Sequence, residues 1–166
     1  MPRFEHVRHK PPSELVQPRD VVVAIAPLRS HVNISKIVRT AGCCGIRRVI
    51  ACGQASIDRN IARDGADEVE VKIHRTLPPV LKELRQEGFA LVGIEQTTNA
   101  QSIYDYAFPR KCAIVLGNER LGLTQDELDL LDAVIEIPVY GKPLSYNVAT
   151  AADMALYEYC RQHPQG

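Results

Sequence analysis

The feature that most limits the folds open to this chain is an alternation. Short apolar runs rich in β-branched residues are separated by segments whose apolar residues recur at helical spacing. The runs are VVVAIA (Val21–Ala26), RVIAC (Arg48–Cys52), VEVKI (Val69–Ile73), FALVGIE (Phe89–Glu95), CAIVLG (Cys112–Gly117) and AVIEIP (Ala133–Pro138). Most are nearly continuous in apolar residues, the pattern of strands buried on both faces. Between them, HVNISKIVRTAGCCG carries Ile34, Ile37, Val38 and Ala41 on one helical face and stops at glycine. LPPVLKELRQEG has prolines in its first turn and Gly88 beyond its end, and TQDELDLLD opens as a capping box with Thr124 and Glu127. Strands alternating with helices predict an α/β domain, a mainly parallel sheet with helices on both faces. A chain of 166 residues suffices for one such domain, burying about 70% of its unfolded surface. The expected division is an N-terminal arm over residues 1–19 and a single domain over 20–166.

Five cysteines, Cys43, Cys44, Cys52, Cys112 and Cys160, are odd in number and form no CxxC or Cys/His spacing suited to zinc. They read as reduced thiols of a cytoplasmic protein. The opening residues hold no apolar run long enough for a signal peptide, and nothing approaches the roughly 18 apolar residues of a membrane span.

The net charge is zero, but the charges are unevenly placed. From Met1 to Arg48 there are 9 Lys and Arg against 3 Asp and Glu, and beyond Arg48 there are 11 against 17. A basic first third in a neutral chain suits either a local nucleic-acid footprint or a solvated arm.

The last helical pattern is broad. Val148, Ala151, Ala152, Ala155, Leu156 and Tyr159 form one face, while Ala149, Met154, Tyr157 and Cys160 extend the apolar surface around it. A helix apolar on more than one side needs more than one packing surface. Either it is wrapped within one core, or one side meets the sheet and the other a second copy in a two-fold dimer.

Three loops that follow strands are candidate sites: NISKIVRTAGCCG, LGNERLGL and IPVYGKPLSYN. Ligands of open parallel sheets collect at the carboxyl ends of the strands. Taken singly, each loop also has a plain explanation. Gly117 and Gly122 serve as turn glycines, Asn33 caps a helix with Arg39 on its solvated face, and Ser145 or Asn147 caps the last helix. No GxGxxG is present, which argues against a dinucleotide-binding oxidoreductase.

Together, Asn33 and Arg39 in NISKIVRTAGCCGI, Glu119 in IVLGNERLGL, and IPVYGKPLSYNVATAADMALYEY resemble the three ordered motifs of the SpoU (TrmH-like) branch of the SPOUT RNA methyltransferases. The resemblance spans Val21 to Tyr159. It implies a C-terminal trefoil knot, a homodimer, and methyl transfer from S-adenosylmethionine to a ribose 2′-hydroxyl of tRNA or rRNA. By motif position, Thr97, Leu116, Gly117, Ile137, Tyr146 and Asn147 would line the cofactor. Asn33, Arg39, Glu119, Ser145 and Asn147 match the polar catalytic set. Sulfonium methyl transfer is favourable chemistry that needs no metal, so placement and proton loss are the protein's tasks. Arg keeps its proton in water, so Arg39 is expected to clamp an RNA phosphate and stabilise the developing alkoxide, unless a buried and strongly perturbed environment makes it the base; Asn33 and Ser145 would orient it or the hydroxyl, and Glu119 would fix its loop or a neighbouring arginine. RNA phosphates would be met by Arg8, Lys10, Arg29, His31 and Lys36. The third motif commonly reads SLNVS; here Tyr146 stands for leucine and Ala149 for serine. The alternative within the family is a non-catalytic relative that binds RNA or cofactor as an assembly or regulatory module.

Overall fold

The computed structural model covers residues 1–166. Seven strands form one sheet: β1 (Val21–Ile25), β2 (Arg48–Cys52), β3 (Glu70–His74), β4 (Ala90–Ile94), β5 (Gln101–Ser102), β6 (Cys112–Leu116) and β7 (Ala133–Glu136). Their spatial order is β3-β2-β1-β6-β4-β7-β5, and every pairing is parallel. The helices are α1 (His31–Cys43), α2 (Arg59–Ala62), α3 (Gly65–Glu68), α4 (Leu77–Gln86), α5 (Gln125–Leu128) and α6 (Val148–Gln162).

The two-residue period of the strands divides the core. Val21, Val23 and Ile25 of β1 pack with Ile34, Ile37 and Val38 of α1 and with Ala152, Leu156 and Tyr159 of α6. Val22 and Ala24 point the other way, onto Leu77, Val80, Leu81 and Leu84 of α4. The central strands β1 and β6 are buried along their whole length, as the continuous apolar runs predict. β3 departs from that expectation. It begins one residue later than its run and is an edge strand with Ile73 55% exposed; Glu70 and Lys72 form an exposed ion pair along it, and charge on an edge strand discourages further strand addition.

Helix ends follow their caps. Ser30, not Asn33, caps α1, its Oγ accepting from the Asn33 backbone N–H at 3.2 Å. Thr124 and Glu127 close the expected capping box, yet α5 is a single turn. Asn147 caps α6. The one-turn helices α2 and α3 and the two-residue β5 are additions to the expected set.

The connectivity doubles back at its C-terminal end. From β4 the chain runs out to β5 at the sheet edge, returns to place β6 between β1 and β4, then places β7 between β4 and β5. α6 finally lies back on α1, with Thr40 Oγ1 2.5 Å from Asp153 Oδ1. Ala152, Ala155, Leu156 and Tyr159 of α6 are buried, Ala151, Met154 and Cys160 are half-buried, and Tyr157 is exposed. Residues before β1 form no helix or strand and are exposed through Glu14. The end of this segment is tied down: the Val16 backbone N–H donates to Gln165 O at 2.9 Å, and Arg19 donates to the Cys44 and His163 carbonyls at 2.6 Å each.

A candidate cofactor cleft at the carboxyl end of the sheet

The loops that follow β4, β6 and β7 enclose a cleft of about 560 Å³, a size ordinary for a small-molecule site. It lies outside the carboxyl ends of adjacent central strands, where doubly wound sheets hold ligands.

The loop after β6 is a tight hairpin. Asn118 and Gly122 exchange backbone hydrogen bonds of 3.1 and 3.0 Å. Gly122 sits at φ +65, and a Cβ on Gly117 would come within 2.6 Å of the Gly122 carbonyl carbon; both positions therefore require glycine. Two side chains bolt this hairpin to the turn before α1. Asn118 Nδ2 donates to Pro27 O at 2.7 Å, and Glu119 Oε1 accepts from the Ser30 and Arg29 backbone N–H groups at 3.0 and 3.2 Å. A carboxylate at the start of α1 also complements the helix dipole.

The loop after β7 forms the opposite wall. Tyr146 OH donates to Pro138 O at 3.2 Å, closing the loop on itself. Asn147 has two tasks: its Oδ1 accepts from the Ala149 and Thr150 N–H groups at 2.9 and 3.3 Å, and its Nδ2 donates to Asn33 Oδ1 at 3.2 Å. That last bond joins the first and third motifs.

Between the walls, adjacent residues at the end of β4 reach in opposite directions. Glu95 Oε2 accepts from Leu123 N–H at 3.0 Å, holding the hairpin, and Gln96 Nε2 donates to Leu144 O at 3.0 Å, holding the other loop. The cleft is thus braced from its floor.

Of the residues singled out from the sequence, Leu116, Gly117, Glu119, Ile137, Ser145, Tyr146 and Asn147 line the cleft. Asn33 is 8% exposed and reaches it through Asn147. Thr97 lies outside the lining; Glu95 and Gln96, one and two positions earlier, are in it. Arg39 is exposed on α1 and does not line the cleft of its own chain. Arg29 and His31 flank the Glu119-bonded start of α1, Lys36 is exposed on that helix, and Arg8 and Lys10 are exposed in the irregular N-terminal segment. Sequence reasoning missed Glu95, Gln96 and Asn118. The available signal was a polar pair following at once on the apolar run FALVGI.

The fold and cleft together define a parallel α/β domain with a cleft of small-molecule size at the carboxyl ends of β4, β6 and β7. A model of the SpoU rRNA methylase family matches residues 20–157. The chain belongs to that family. It is 33% identical over 146 residues to the tRNA (guanosine(18)-2'-O)-methyltransferase of Escherichia coli, covering 86% of this chain and 64% of that protein. It is 32% identical over 157 residues to a 23S rRNA (guanosine-2'-O-)-methyltransferase of Acinetobacter baylyi, covering 90% of this chain and 63% of that one. The chain therefore spans a little under two thirds of these relatives. Among solved structures, the A. aeolicus TrmH/SpoU tRNA modifying enzyme superposes with a TM-score of 0.82 at 25% identity, over 89% of this chain and 77% of that chain. The SpoU methyltransferase AviRb from Streptomyces viridochromogenes, in complex with AdoMet, superposes with a TM-score of 0.76 at 27% identity, over 91% and 62%.

Proposed function

We propose that this chain transfers a methyl group from S-adenosylmethionine to a ribose 2′-hydroxyl of tRNA or rRNA. The observation that carries the reading is the joining of three motifs around one cleft: Asn147 to Asn33 at 3.2 Å, and Glu119 to Ser30 at 3.0 Å. The relatives named for guanosine 2'-O-methylation and the AdoMet-bound structural neighbour support the reaction and the cofactor.

The cleft suits the cofactor chemically. Leu116, Ile137, Val148 and Ala151 offer apolar contact for an adenine, with the Tyr146 ring beside them, and the hairpin supplies backbone polar groups. When bound, S-adenosylmethionine supplies an electrophilic methyl carbon on sulfur. The chain's residues then hold and orient. Glu119 fixes the hairpin against α1, Asn33 and Asn147 lock each other's amides, and Ser145 stands free on the wall to meet the ribose hydroxyl. Arg29, His31, Lys36, Arg8 and Lys10 meet RNA phosphates, which supply affinity without base choice.

The reading includes a homodimer in the cytoplasm, with residues 1–19 as a basic arm on a single domain over 20–166. The half-buried side of α6 is its contact surface. Arg39 lies next to Thr40, which bonds Asp153 of α6, so a dimer formed there would carry Arg39 toward a second cleft. The trefoil knot belongs to the same reading, and the return of the chain to place β6 and β7 inside the sheet supports it. No helix is long and apolar enough to cross a membrane.

Labelled S-adenosylmethionine incubated with the protein and total RNA, followed by mass spectrometry of the nucleosides, tests this. Label on a ribose 2′-oxygen is expected; label only on base nitrogens refutes it. The exposed position of Arg39 equally suits a non-catalytic binding relative. Arg39→Ala separates the two, because a catalyst loses turnover with its fold intact and a binding module has no turnover to lose.

A further inference from the structure

We infer that Glu95 makes the cleft selective for a cationic donor over its neutral product; this rests on the proposed function. Glu95 lies at the carboxyl end of β4, and its side chain faces the cleft. Two backbone N–H groups, from Gln96 and Leu123, hold its oxygens at 3.0 Å each. Gly122 packs so closely against it that a Cβ there would lie 2.5 Å from Oε2. Turning the carboxylate out to solvent would give up both of these backbone hydrogen bonds. Its two partners are neutral amides, so its negative charge is oriented but not cancelled, and no salt bridge involves it. Glu119 on the next loop also lines the cleft, with Arg120 as the one cationic side chain of the lining.

A fixed anion beside a ligand site discriminates by charge. S-adenosylmethionine carries a sulfonium that S-adenosylhomocysteine lacks, and the two are otherwise nearly the same shape. Shape therefore does little to separate donor from product. A carboxylate held in the wall favours the sulfonium through space, and because the cleft is open to water the effect is moderate and salt-dependent. Such selectivity speeds exchange of spent product for fresh donor. Gln96, the neighbouring brace, is neutral and contributes to the cleft's shape alone.

The test is calorimetric titration of the full chain with each compound, in wild type, Glu95→Gln and Gln96→Ala. Glu95→Gln is expected to lower the preference for S-adenosylmethionine by about 3- to 10-fold, and to reduce the salt dependence of that preference. Gln96→Ala is expected to weaken both ligands by the same factor. If Glu95→Gln also weakens both alike, Glu95 is only a loop brace and the inference falls while the proposed function stands. If the wild type binds neither compound, the proposed function falls and takes this inference with it.

Discussion

Replacing Gly117 with alanine adds one methyl group where the cleft wall is packed against the backbone of Gly122 and Leu123. Its Cβ would lie 2.6 Å from the Gly122 carbonyl carbon and 2.8 Å from the Leu123 nitrogen. Ordinary contact begins near 3.4 Å, so about 0.8 Å must be found, and the obstacles are backbone atoms that no rotamer change can move. Overpacking of this kind costs about 1–3 kcal/mol. The cheapest relief is to open the hairpin, which gives up the two Asn118–Gly122 hydrogen bonds at about 1 kcal/mol each. A domain of this size holds about 5–15 kcal/mol in total, so it stays folded while the loop opens. Opening also pulls Leu123 N–H from Glu95. Opening costs about 2 kcal/mol against a strain of up to about 3, so the open loop becomes at least comparably populated and apparent affinity for S-adenosylmethionine should fall roughly 2- to 6-fold. Calorimetric titration measures that fall, and amide exchange at residues 117–123 reports the opening. Gly141→Ala is the control: no atom lies within 4 Å of its added Cβ, and binding should not change. Wild-type affinity in Gly117→Ala would refute the argument that this hairpin shapes the cleft.

Asn147→Ala removes the cap of α6 and the partner of the buried Asn33 amide, and should lower stability by about 1–2 kcal/mol, read from thermal unfolding. The Arg48 guanidinium, bidentate to Glu87 at 2.6 and 2.9 Å, holds the Glu87 carboxyl below its usual range. A depressed carboxyl adds stability above its unfolded value of about 4.3 and loses it as pH falls through the lower folded value. Glu87→Gln should therefore be less stable than wild type at neutral pH, with the gap closing in acid, as denaturant titrations at several pH values would show. The neighbouring Cys44 side chain and the Arg19 charge, opposed by burial, hold the Cys160 thiol below the usual thiol range. Burial pushes Cys52 and Cys112 up to about 12. Iodoacetamide should label Cys160 at lower pH than an ordinary thiol and spare Cys52 and Cys112; Cys44→Ala should move the labelling midpoint of Cys160 up.

The strands were legible because burial on both faces leaves continuous apolar runs, and β1, β2, β4, β6 and β7 fall within theirs. Pieces of one turn or two residues, such as α2, α3 and β5, are too short for any period to register. The cap of α1 was readable only in part, since Ser30 and Asn33, three residues apart, are comparably good cap types. Strand order was not readable: nothing local says that β6 returns between β1 and β4, because that choice is made by packing against distant residues. The same applies at the cleft. Glycines and short polar residues announced the loops after β6 and β7, whereas Glu95 and Gln96 count only because each finds a partner on a different loop. Arg39 shows the opposite case, a residue conspicuous in its motif that one chain leaves outside the cleft.

The insertion of β6 beside β1 has a consequence for synthesis. β1 gains its neighbour β2 by Cys52, but its other edge stays unpaired until Cys112 has been made, about 60 residues later. At about 5–20 residues per second, a ribosome leaves that sticky apolar border open for roughly 3–12 seconds. Through that interval the newborn polypeptide is a target for chaperones, and for others of its kind on the same messenger.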